Sequence, residues 1–83
     1  MSRLPALSYR EVIQRLRAAG FVFDRQAKGS HEIWYHPETK RRVTVPRHSG
    51  TMPRGTLRAI IREAGLTIEE FLGEGGSEPS EGV

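Results

Sequence analysis

Apolar residues near the start of the chain recur at a helical interval. Tyr9, Val12, Ile13 and Leu16 follow the i, i+3, i+4, i+7 rule and form one stripe, while Arg10, Gln14, Arg15 and Arg17 fall mostly outside it. Ser8 followed three residues later by Glu11 makes a capping box, and Gly20 suits a left-handed residue just past a helix end. The spacing predicts a helix over residues 8–19. The period then shortens. Residues 21–26, 31–36 and 41–45 read as three strands, rich in bulky and β-branched side chains. Lys28-Gly29-Ser30 and Pro37-Glu38-Thr39-Lys40 are turn material between them, and Pro46 stands at the end of the third. A loop over residues 47–52 leads to a second helical stripe, Leu57, Ile60, Ile61 and Ala64, predicting a helix over residues 53–64 with Pro53 in its first turn and Gly65 as its stop. Thr67 with Glu70 is a second capping box, opening a short helix that runs through Leu72.

Short turns between consecutive strands make an antiparallel sheet. One apolar stripe per helix places both helices on one face of that sheet and leaves the other face open. The fold class expected is α+β: an αβββα unit with a three-stranded antiparallel sheet, two helices on one face and a short C-terminal helix. This order is that of double-stranded-RNA-binding domains. On the third strand Val43 and Val45 share one face and Arg42 and Thr44 the other. On the second strand, directing Ile33 toward the helices carries His31 to the covered side and puts Glu32, Trp34 and His36 on the open one. An open-face Trp34 beside Arg42 would stack on a base or a partner protein; the alternative is a tryptophan half-covering a thin sheet.

Eighty-three residues make one small domain, over residues 1–72, followed by a Gly-, Ser-, Pro- and Glu-rich stretch over residues 73–83 that reads as a disordered acidic tail. Charge is unevenly spread. The first 66 residues hold all 13 Lys and Arg and five acids, a net of +8, and the last 17 hold five acids and no cation. A basic body points to a polyanion, with nucleic acid the commonest. Eleven of the 13 cations are Arg, whose planar fork grips phosphate through paired hydrogen bonds. There is no cysteine, which removes disulfides, thiolate metal sites and thiol nucleophiles. No stretch is apolar enough for a signal peptide or a membrane span, so a cytoplasmic protein without membrane contact is expected.

Chemistry is left to few residues. His31, His36 and His48 lack metal-ligand spacing, the body's carboxylates are scattered, and neither a phosphate-cradling loop nor a nucleophile elbow occurs. No metal and no cofactor are expected. A lone His among Arg and Lys suits RNA cleavage, because RNA carries its own nucleophile, the 2′-hydroxyl. A His moves protons near neutral pH, and cations stabilise the crowded phosphate. His31 is the best placed of the three: it follows Gly29 and Lys28 and begins a strand, rigid yet near the sheet's end. The alternative is a partly exposed His that merely begins a strand. His36, before Pro37, reads as a surface residue, and His48 leads toward a helix N-terminus. Lys28, Gly29, Ser30, Arg47, His48 and Arg54 are candidate RNA contacts by their loop or helix-start positions. A second proton-transfer group would be His48, Tyr35 or water.

The ordered set Gly29-Ser30-His31, Val45-Pro46-Arg47-His48, Gly55-Thr56-Leu57, Ile60-Ile61 and Ala64-Gly65-Leu66 resembles the HicA toxin family of bacterial toxin–antitoxin systems, over residues 8–72. The resemblance implies a double-stranded-RNA-binding-like fold and a metal-independent endoribonuclease that cleaves mRNA and arrests translation. It makes His31, the histidine of the Gly-Ser-His motif, catalytic. It implies inhibition by a HicB-like antitoxin, with operator DNA reached only through the toxin–antitoxin complex. Two other readings share the same basic body: a non-catalytic RNA-binding module and a protein-interaction domain.

Overall fold

The computed structural model describes residues 4–73. The elements follow in the order α1 (Tyr9–Ala18), β1 (Val22–Gln26), β2 (His31–Tyr35), β3 (Arg42–Pro46), α2 (Arg54–Ala64) and α3 (Ile68–Leu72). The strands form one antiparallel sheet in the order β1-β2-β3, so the expected αβββα arrangement is present, with its short final helix. The tail expected over residues 73–83 lies, beyond Gly73, outside the described residues.

Local chemistry sets the boundaries. Ser8 caps α1 by a reciprocal pair: its Oγ accepts from the Glu11 amide at 3.2 Å, and its own amide donates to Glu11 Oε1 at 2.8 Å. Thr67 and Glu70 repeat the device at α3, at 3.0 and 2.9 Å. Pro53 lies one residue earlier than expected, at the N-cap of α2 rather than inside its first turn. Its carbonyl accepts the first helical bond, from the Leu57 amide at 2.9 Å.

One core joins the helices to one face of the sheet. It takes Val12, Ile13 and Leu16 from α1, Leu57, Ile60, Ile61 and Ala64 from α2, and Phe71 and Leu72 from α3. The sheet contributes Trp34, Val43 and Val45, and the segments between elements add Leu4, Leu7, Phe21 and Met52. The Met52 amide donates to the Leu7 carbonyl at 2.7 Å, and Ser8 bridges Thr51, so the loop before α2 is stitched to the chain's start.

The facing expected for β2 is reversed. Glu32 and Trp34 are buried, while His31 is exposed and Ile33 and Tyr35 are half-buried. The cause is register. The turn over residues 37–40 pairs His36 with Arg41 by a backbone bond, so Trp34 lies opposite Val43 and Glu32 opposite Val45. Directly paired residues share a face, and Val43 and Val45 are fully buried. Trp34 is therefore a core residue, 2% exposed, and no open-face platform. His31 turns outward for the same reason.

The two sheet edges differ. The outer edge of β3 is occupied by α2: Glu63 Oε1 accepts from the Thr44 amide at 3.1 Å, and the Glu63 carbonyl accepts from Arg41 Nη1 at 3.2 Å. All five residues of β1 are exposed, and its pairing with β2 is interrupted by a bulge between Phe23 and Arg25. Val22 and Phe23 are large apolar side chains, each 49% exposed.

Candidate active site at the sheet end

The Gly-Ser-His stretch forms the hairpin turn between β1 and β2. The Ala27 amide donates to the His31 carbonyl at 2.8 Å, closing the turn. Gly29 takes a left-handed backbone with φ of 66°, which a glycine adopts without steric cost. Nothing would contact a Cβ at Gly29, so the backbone there stands open to solvent. The turn brings the Lys28 carbonyl over the strand's first residue, 3.3 Å from the His31 amide and 3.2 Å from His31 Nδ1. A carbonyl only accepts, so Nδ1 carries the proton in this contact, and in the neutral ring the lone pair is on Nε2. That tautomer is the one a general base needs.

The second wall of the site comes from the end of β3. His31 pairs with Pro46, and one step further the Arg47 amide donates to the Ser30 carbonyl at 2.9 Å. Lys28, Gly29, Ser30 and His31 are thereby joined to Arg47 and His48 at one end of the sheet. Arg54 opens α2 and lines a depression with Pro5, Ala6, Thr51 and Met52. Tyr35 is four residues from His31 along the same strand, about 13 Å at strand rise, too far to share one phosphate. His48 remains close in the chain to the joined segments and lines a shallow polar depression with Tyr9, Arg47 and Ser49.

Beneath this end lies an acid that the sequence reading did not single out. Glu32 is 6% exposed. Its Oε1 accepts from the Tyr9 hydroxyl at 2.6 Å and from Trp34 Nε1 at 3.1 Å, and its Oε2 lies 4.0 Å from Arg47 Nε. The Arg47 guanidinium also sits over the Tyr9 ring, 5.5 Å from its centroid. Burial first, then the hydrogen bond to Glu32 and its charge, push the Tyr9 hydroxyl up to about 12. This buried network ties α1 to β2 and holds Arg47 from below. The signal for it was the alternation of Glu32 and Trp34 opposite Val45 and Val43.

His36, expected at the surface, is instead a half-buried clamp. Its Nδ1 accepts from the Glu38 and Thr39 amides, both at 3.2 Å, and its Nε2 donates to the Ala19 carbonyl at 3.1 Å. Phe21 packs edge-on against its ring. Both ring nitrogens of His36 are thereby engaged within the protein. Among the described residues no group of three His, Asp or Glu side chains converges as a metal site requires.

A family model described as the HicA toxin of bacterial toxin–antitoxin systems matches residues 9–66, more than half of the chain. The chain belongs to the HicA toxin family. No curated protein matches it significantly. The HicA match runs from the first residue of α1 past the end of α2, and so includes the His31 turn, the β3 end and the Tyr9–Glu32 contact. Membership in a HicA toxin–antitoxin family implies a cognate antitoxin as partner. No helix among the described residues is long and apolar enough to cross a membrane.

Proposed function

We propose that this HicA-family chain is an endoribonuclease that cleaves mRNA, with His31 as its general base. The observation that carries the reading is the His31 ring, exposed and oriented by the Lys28 carbonyl through Nδ1, at a sheet end that also holds Lys28 and Arg47. In the proposed step Nε2 takes the proton of a ribose 2′-hydroxyl. The 2′-oxygen attacks the adjacent phosphorus, the bond from phosphorus to the 5′-oxygen breaks, and that oxygen leaves with a proton from His48 or water. The products are a 2′,3′-cyclic phosphate and a 5′-hydroxyl. Lys28 and Arg47, both exposed, flank the base and would carry the charge that builds on the phosphate. Gly29 and Ser30 shape its approach. A HicB-like antitoxin would inhibit by covering the same end.

The test is His31→Ala. The side chain is exposed, so the variant should keep the wild-type circular dichroism spectrum and melting profile while cleavage of mRNA falls by about 100-fold or more. A substrate with 2′-deoxyribose at the cut position should resist the wild-type protein. Cleavage by His31→Ala at the wild-type rate, or cutting of the deoxy substrate, refutes the assignment.

A further inference from the structure

The sheet face opposite the core is available, and its composition is specific. His31, Ile33 and Tyr35 alternate along β2 on that face, with Pro46, Thr44 and Arg42 paired to them on β3 and Arg25 paired to Ile33 on β1. The Arg42 guanidinium lies over the Tyr35 ring, 4.7 Å from its centroid, and its side chain is 57% exposed. A guanidinium plane on an aromatic ring presents an outward flat surface on which a base can continue the stack. Asp24, set at the bulge of β1, holds both cations of this face: its Oδ2 accepts from Arg25 Nη1 at 2.9 Å and lies 3.9 Å from Arg42 Nε.

We infer that this face is the platform for the single-stranded RNA flanking the cleaved phosphate, with one base stacked on the Tyr35–Arg42 pair and the backbone following Arg25 to Lys28 and His31. The inference rests on the ribonuclease reading and extends it by naming the subsite. Two observations favour RNA as the occupant. The face is continuous with the His31 end through a single strand, at the alternation that carries side chains along one side of a sheet. Its exposed charge is cationic, with Asp24 already engaged by the two arginines it sits beside. Stacking on Tyr35 is tolerant of base identity, whereas a strand at this distance from His31 fixes which nucleotide the base belongs to.

The experiment measures binding of a fluorescent, fully 2′-O-methylated single-stranded oligonucleotide, which cannot be cut, by anisotropy. Wild type, Tyr35→Leu, Tyr35→Phe, Arg42→Lys and Arg42→Gln are compared, each checked by circular dichroism. Tyr35→Leu should weaken binding roughly tenfold, the loss of one base–aromatic stack. Tyr35→Phe should bind like wild type, because the ring and not the hydroxyl is used. Arg42→Lys should lose several-fold despite keeping its charge, and Arg42→Gln more. If wild type binds and cuts RNA but Tyr35→Leu binds as tightly as wild type, the platform is wrong and the ribonuclease reading stands. If the Tyr35 and Arg42 variants keep RNA affinity and lose only the antitoxin complex, the face belongs to the protein partner and the inference is overturned. If wild type neither binds nor cuts RNA, both fall together.

Discussion

Three neighbouring residues on β2 illustrate how much hangs on one step of register. His31 faces solvent, Glu32 faces the core, and Trp34 is buried where an open-face stacking residue was expected. The aromatic on the outer face of the strand is Tyr35 instead, half-buried. Glu32 is tolerated in the interior because the Tyr9 hydroxyl and Trp34 Nε1 both donate to it. The Tyr9 contact has a consequence for stability. An unfolded tyrosine gives up its proton near pH 10, and folded Tyr9 does so only at about 12. Below pH 10 both states hold the proton. Between the two values the unfolded chain has lost it and the folded chain keeps it, so the contribution of Tyr9 to stability falls as pH rises through that window. Urea titrations from pH 9 to about 12 should show a steeper alkaline loss in wild type than in Tyr9→Phe, which lacks the titrating group. Equal slopes would mean that the folded chain does not hold this proton more tightly than the unfolded one.

At the scale of elements, the helices and their caps were readable because they rest on contacts within a few residues. Both capping boxes formed at Ser8 and Thr67 as expected, and the stripes on α1 and α2 became core, with Tyr9 at its edge. The role of His36 was not readable, since its partners come from the end of α1 and the turn after β2. That junction is tight. Gly20 has φ of 101°, and a Cβ there would lie 2.6 Å from His36 Nε2. Gly20→Ala therefore meets both backbone strain and a clash. It should destabilise the fold by about 1–3 kcal/mol, measured as a lower urea midpoint, through displacement of the His36 ring from the Ala19 carbonyl. The cleavage proposed for His31 should persist below the melting point, because His36 lies just past the end of β2 opposite to His31.

For the whole molecule, charge is the property that the sequence announces and the fold distributes. Thirteen cations fall within the first 66 residues, and the fold places Lys28, Arg25, Arg42 and Arg47 along one sheet face and its end. RNA affinity should drop linearly on a plot of log affinity against log salt, and Arg25→Gln should flatten the slope by about 0.7, the counterion share of one phosphate contact on a single strand. An unchanged slope would remove Arg25 from the phosphate-facing set. The sequence alone determined the element order, the helix ends, the α+β class, the basic body and the family pattern around His31, because each depends on local spacing or on simple sums along the chain. Tertiary structure alone decided which side of β2 meets the core, that Glu32 finds buried donors on α1 and β2, and that His36 is held at both nitrogens. Those outcomes depend on pairing between distant segments, where a one-residue difference in register exchanges the two faces of a strand.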